Sequence, residues 1–214
     1  PGADAVAEQQ ELDRVIPVLE LLRQELDCWI SIDTSKAGVM QEAVKAGADL
    51  INDICALREP GALQVAADSG AAICLMHMQG QPRTMQQAPD YQDVTLEVAD
   101  FLRQRLQACD EVGIPRERIC LDPGYGFGKR LEHNYELLGK VGDLHALGLP
   151  LLVGMSRKSM LGQLLDREVE QRLAGGLAAH LFALSQGAQI FRVHDVKEMA
   201  DAMRVWQQAA QYQG

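Results

Sequence analysis

Residues 29–54 read WISIDTSKAGVMQEAVKAGADLINDI, and this stretch decides the fold. Its first five residues, WISID, carry an aromatic and two β-branched side chains, the composition of a strand. Asp33, Thr34 and Ser35 follow as a cluster of helix-capping side chains, and a helix is predicted from there to Ala46, ended by Gly47. A second strand is predicted over residues 49–54. Strand, helix and strand in so few residues make a parallel pair joined by a helical crossover.

The same alternation runs through the chain. Further strands are predicted at 72–77 (AICLMH), 119–122 (ICLD), 150–155 (PLLVGM) and 190–194 (IFRVH). Helical spacing of Leu12, Val15, Ile16, Leu19 and Leu22 marks a helix over 7–25, with Pro17 as its kink. Helices are also predicted at 61–69, 93–112, 134–147, 170–186 and 196–211. Strict alternation means a parallel sheet covered by helices. The 214 residues show no linker and no low-complexity tract, so residues 1–214 form one domain. Two architectures fit, an open doubly wound sheet or a closed (β/α)8 TIM barrel. The first helix lacks a G-x-G-x-x-G opening, which counts against a dinucleotide-binding sheet. A barrel takes eight strands in roughly 250 residues. Six are found here, after an orphan helix, so the expectation is a barrel whose first two β-α units are absent from the N-terminus of this sequence.

The formal net charge of −10 argues against nucleic acid as a partner, because phosphate backbones need a basic surface. No apolar run approaches the roughly 18 residues of a membrane span. The N-terminus PGADAVAEQQEL has no basic n-region and no apolar h-region, so it is not a signal peptide, and it reads as a chain starting inside a loop. The five cysteines, Cys28, Cys55, Cys74, Cys109 and Cys120, include no Cys-x-x-Cys pair. They read as reduced small hydrophobes of a cytoplasmic protein.

Strand side chains alternate between faces. Asp33 shares a face with Ser31, Asn52 with Leu50 and Ile54, Met76 with Cys74, Asp122 with Cys120, and Arg192 with His194. If those faces look inward, five polar groups gather at the C-terminal strand ends, where barrel enzymes keep their active sites. Any one alone reads equally as a helix cap or a satisfied buried polar group. A guanidinium and an imidazole on one face of an interior strand call for an anionic partner. The turn Gly154-Met155-Ser156-Arg157-Lys158-Ser159 adds cations and hydroxyls suited to an anion, or is a plain solvated turn. Asp122-Pro123-Gly124-Tyr125-Gly126-Phe127-Gly128-Lys129 offers close backbone approach and stacking rings for a flat ligand. Residues 78–93 form either a lid or an ordinary surface loop. Together these residues suit group transfer with a phosphorylated leaving group.

These motifs, in this order, resemble bacterial dihydropteroate synthases over essentially the whole chain. The set comprises Ile32–Lys36, Ile51–Ile54, Leu75–Gly80, Asp122–Lys129, Gly154–Ser159 and Arg192–Asp195. The resemblance implies a TIM barrel that joins 6-hydroxymethyl-7,8-dihydropterin pyrophosphate to p-aminobenzoate with release of pyrophosphate in folate synthesis. It implies a sulfonamide target and a homodimer formed through the last helices. Asp33, Asn52, Ile54, Met76, Asp122 and Lys158 correspond to the pterin-binding set. Arg192 and His194 correspond to the pyrophosphate site, and Pro1, Phe127 and Ser159 to the p-aminobenzoate site. The catalytic set it implies is Asp33, Lys158, Arg192 and His194, with Mg²⁺ as cofactor. The family's Asn-x-Thr-x-Asp-Ser-Phe motif, which supplies the metal-contacting Asn, does not occur here, and of its Ser-Thr-Arg-Pro-Gly motif only Pro1-Gly2 is present. No metal ligand is therefore expected within this chain. Two alternatives stand beside this reading. One is a non-catalytic pterin-binding protein or inactive partner subunit. The other is a methyltetrahydrofolate methyltransferase, which needs no pyrophosphate site.

Overall fold

The computed structural model describes residues 6–81 and 84–212. Six strands alternate with eight α-helices: α1 (Glu8–Glu25), β1 (Ser31–Asp33), α2 (Ala37–Lys45), β2 (Leu50–Asp53), α3 (Ala62–Ser69), β3 (Ala72–Met76), α4 (Val94–Glu111), β4 (Ile119–Asp122), α5 (Leu131–Gly139), β5 (Leu152–Val153), α6 (Ser159–Leu165), α7 (Leu173–Ser185), β6 (Ile190–Phe191) and α8 (Val196–Ala210). Every predicted strand is present, trimmed at its ends. Every pairing is parallel, and neighbours in the sheet are neighbours in the chain. A Leu121–Leu151 bridge joins the sheet β1–β4 to the pair β5–β6. Among the described residues β1 and β6 do not pair with one another, so each is an edge.

The alternation read from the sequence separates two apolar sets. Ile51, Ile73, Leu75, Ile119, Leu121 and Val153 point outward into the main core, against buried Met40, Ala66, Leu102, Leu106, Leu137 and Ala183 of the surrounding helices. Leu50, Cys74, Cys120 and Leu152 point the other way and pack on each other as an inner layer. Truncating a fully buried residue of the outer set, such as Ile73, to Ala costs about 2–5 kcal/mol by loss of transfer energy and the cavity left behind.

Several expectations need correction. The helix predicted at 134–147 is two pieces, because α5 stops at Gly139 and a 3₁₀ turn takes over at Val141–Leu147. The helix predicted from residue 170 begins at Leu173 after a separate 3₁₀ turn. Cys28 is exposed, unlike the other four cysteines, which are buried, and all five are free thiols. Arg192 and His194 lie just beyond β6, which stops at Phe191 and among the described residues pairs only with β5.

Candidate active site

Two residues beyond the inner layer, along the same strands, the chemistry changes. Asn52, Met76, Asp122 and Gly154 follow Leu50, Cys74, Cys120 and Leu152 at a spacing that keeps them on the inner face. Asn52 and Asp122 are 3% and 1% exposed, so both are effectively withdrawn from water. Asn52 Nδ2 donates to Asp33 Oδ2 at 2.9 Å, and Asp122 Oδ1 accepts from the Gly124 N–H at 2.7 Å. Their other oxygens, Asn52 Oδ1 and Asp122 Oδ2, are buried and bonded to nothing among the described residues. A buried acceptor without a donor costs about 1–3 kcal/mol, so two of them on one sheet face, on β2 and β4 with β3 between, mark where a donor-rich molecule fits. Thr95 Oγ1 and the Tyr125 hydroxyl are also buried without a partner among the described residues. Burial raises the Asp33 carboxyl above the ordinary range, against the opposing pull of Arg192 and of the Asn52 hydrogen bond.

Cations ring these acceptors. Lys158, at the start of α6, donates through Nζ to the Tyr125 carbonyl and stands 4.8 Å from the centre of the Phe127 ring. Burial pulls its pKa down to about 8, although Asp122 opposes the shift. The Arg192 guanidinium lies over Gly154, where a Cβ would come within 3.3 Å of Nη2, and Nη2 is 3.9 Å from Asp122 Oδ2. Glycine at 154 thus lets Arg192 fold across β5 toward the acceptors. The His194 backbone N–H donates to Ser156 Oγ at 3.2 Å, and its ring Nδ1 lies 3.0 Å from the same oxygen. Of the two cations in the 154–159 turn only Lys158 faces the site, because Arg157 is bound to Asp195 at 2.6 Å.

The loop after β4 is docked on the segment after β3. A Cβ at Gly124, whose φ is +71°, would sit 1.9 Å from the His77 carbonyl oxygen, so only glycine fits. Tyr91 Oη and Gln86 Nε2, from the stretch predicted as lid or surface loop, donate to the Gly128 and Gly126 carbonyls at 2.6 Å each. That stretch is thereby fastened to the glycine loop along its described residues. Below it Met76, Met78, Met85 and Cys55 form an apolar floor against which Ile54 and Phe127 pack. A cleft of about 780 Å³ lined by Ser35, Lys36, Cys55, Arg58 and Met78 adjoins this floor, to one side of Asn52 and Asp122.

The structure therefore brings Asp33, Asn52, Met76, Asp122, Lys158 and Arg192 together on one face, with Ile54 and Phe127 beside them and His194 at the β6 edge. Ser159 is exposed as the first residue of α6. Pro1 lies outside the described residues. Lys129 and His77 carry no individual signal of a role in the sequence, whereas Ser156 stands as one of the hydroxyls of the 154–159 turn. Lys129 closes the glycine loop and His77 directly follows a strand, and such positions were the available signal. Among the described residues no group of three or more His, Cys, Asp or Glu side chains could hold a metal ion. No described helix is long and apolar enough to cross a membrane.

Residues 1–194 match the family model for pterin binding enzymes. The chain is 55% identical to dihydropteroate synthase of Escherichia coli (strain K12) over 205 residues, covering 96% of this chain and 73% of that protein. It superposes on dihydropteroate synthase of Yersinia pestis, solved as a sulfonamide drug complex, with a TM-score of 0.96 and 53% identity, covering 99% of this chain and 76% of that one. It superposes also on the Xanthomonas albilineans dihydropteroate synthase in complex with 7,8-dihydropteroate, with a TM-score of 0.92 and 47% identity over 100% of this chain and 78% of that one.

Proposed function

The chain belongs to the pterin-binding enzymes and, within them, to the dihydropteroate synthases, and on that premise we propose how its own residues carry the reaction. The fold is the TIM barrel of that family. The reaction is a transfer: 6-hydroxymethyl-7,8-dihydropterin pyrophosphate and p-aminobenzoate give 7,8-dihydropteroate and pyrophosphate. The C–O bond to pyrophosphate breaks, a C–N bond to the aromatic amine forms, and the amine gives up a proton.

The observation that carries the residue assignment is the pair of orphaned acceptors, Asn52 Oδ1 and Asp122 Oδ2. A pterin presents an amino group and ring N–H donors in one plane, which matches them. Asp33 holds Asn52 in place from the edge, Met76 and Ile54 supply the apolar contact for the ring, and Lys158 adds a donor. Arg192 and His194 receive the pyrophosphate and stabilise its negative charge as it leaves. Phe127 and Ser159, with Pro1, form the p-aminobenzoate end, and sulfonamides compete there. Mg²⁺ finds no ready set of acidic ligands among the described residues. It is proposed as an ion that comes with the pyrophosphate oxygens and keeps much of its water shell. A homodimer is proposed through α7 and α8, which expose Leu173, Phe182, Val196 and Val205. A cytoplasmic location accords with five free thiols.

The test is pyrophosphate release from the pterin pyrophosphate in the presence of Mg²⁺. Release that requires p-aminobenzoate is expected. Release at the same rate without it would remove the assignment of the p-aminobenzoate end, and pterin binding without any release would favour a binding protein.

A further inference from the structure

Lys129 is 3% exposed and has no part in the assignments above. Its Nζ donates to the Gly124 carbonyl at 2.9 Å and to the Phe127 carbonyl at 3.2 Å, and lies 2.9 Å from His77 Nδ1. Three acceptors match the three N–H bonds of an ammonium group. Burial holds the imidazole of His77 neutral, pushed down to about 2, so its Nδ1 is free to accept. Burial also lowers Lys129 itself to about 7, which leaves N–H donors in either protonation state.

A buried lysine costs several kcal/mol of desolvation that an apolar side chain would not. Filling space under the loop does not require it. What it holds is specific. The loop reverses at Gly124, Gly126 and Gly128, all at positive φ (71°, 79° and 58°), and no strand pairs with it. Its shape comes from side chains: Asn134 Oδ1 on the Gly126 N–H at 2.7 Å, Gln86 and Tyr91 from outside, and Lys129 from within. The two carbonyls that Lys129 gathers bracket the segment carrying the Tyr125 carbonyl, which accepts from Lys158, and the Phe127 ring under the same ammonium.

We propose that Lys129 is a positioning residue for the p-aminobenzoate end of the site, setting the Phe127 ring through the Phe127 and Gly124 carbonyls. The inference rests on the role given to Phe127 above. Asn52 and Asp33, at the pterin end, lie on strands that Lys129 does not touch, so the pterin end depends on it less.

The test is the steady-state kinetics of Lys129→Met, alone and combined with Phe127→Ala. Loss of buried charged hydrogen bonds predicts a rise of about tenfold in the KM for p-aminobenzoate, with the KM for the pterin pyrophosphate changing less than about threefold. If Lys129 acts through Phe127, adding Lys129→Met to Phe127→Ala changes the p-aminobenzoate KM by less than about twofold. Equal rises in both KM values, full additivity, or a lowered melting temperature with both KM values unchanged would each overturn the proposal. Should Lys129→Met not fold, Lys129→Gln, which keeps two N–H donors, is expected to give the same split with a smaller rise. An unsplit effect there would overturn the proposal equally. A Phe127→Ala variant with an unchanged p-aminobenzoate KM would instead overturn the role of Phe127 on which the inference stands.

Discussion

The middle of the sheet and its two edges solve different problems with the same strand pattern. On β2 and β4, Asn52 and Asp122 are buried, each held by one hydrogen bond with one acceptor left over. At the edges, Asp33 on β1 and Arg192 and His194 just beyond β6 are only partly enclosed by the described residues. Buried acceptors are pre-positioned and cannot be satisfied by solvent, so they discriminate between ligands that offer donors and ligands that do not. Arg192 and His194 offer donors instead, which suit a highly charged leaving group. A substrate with a flat, donor-rich ring and a pyrophosphate tail has one end suited to each region.

The sharpest way to break this contrast is at Asp122. Asp122→Asn replaces a buried acceptor with an amide that can present a donor to a donor. It also takes the charge from the proposed hydrogen bonds. Pterin affinity should fall by roughly two orders of magnitude, the scale of losing charge-assisted buried bonds. Titration calorimetry with the free pterin checks it, and an unchanged affinity would remove Asp122 from the pterin end. Gly124→Ala strikes the same region through the backbone. At φ +71° its Cβ would meet the His77 carbonyl at 1.9 Å, so a destabilisation of about 3 kcal/mol or more is expected from denaturant unfolding. A near-neutral result would mean that the loop after β4 is free to move off the β3 exit.

The middle of the sheet was also the more legible part of the sequence. Period-two alternation placed Asn52, Met76 and Asp122 on one face because both faces of those strands are buried and neither tolerates a slip of register. The same reasoning overran on β6, where residues 190–194 read as a strand and the ladder ends at Phe191. Local pattern reports what a strand resembles, and how far a neighbour pairs with it is a property of the whole sheet. Lys129 was hidden for a different reason. A lysine at the end of a glycine-rich loop resembles a solvated charge, and only its three acceptors, contributed from residues 77, 124 and 127, turn it inward. Asp53, likewise, is buried because its carboxylate caps the turn that follows it, accepting from the Cys55 and Leu57 N–H groups at 2.8 and 2.7 Å.

At the edge the expected effects are smaller and confined to one ligand. Arg192→Ala should weaken the pterin pyrophosphate by about tenfold while free pterin changes less than about twofold, since only the former carries the group that a guanidinium pairs with. The melting temperature should stay within about 1–2 °C, because an exposed arginine contributes little to stability. Equal losses for both ligands would mean that Arg192 serves the ring rather than its leaving group, and the division between middle and edge would fail at β6.

Lys158 sits between the two regions and allows the mildest test, made by pH alone. Burial lowers its pKa to about 8 from the ordinary 10.5. A step that needs the ammonium is therefore fully supported below that value and fades as the pH rises through it, giving kcat/KM an alkaline limb near pH 8. Stability moves the other way. Between about 8 and 10.5 the unfolded chain keeps a proton on this lysine that the folded chain has lost, so the contribution of Lys158 to stability increases with pH, and that of Lys129, lowered to about 7, does the same. A decline in activity over that window is thus separable from unfolding by recording thermal midpoints on the same samples. Lys158→Arg keeps its charge at any accessible pH. Whatever rate that variant retains should lack the limb, and a limb that persists would assign the titration to Lys129 and shift the pH-sensitive element from the rim of the site to the loop beneath it.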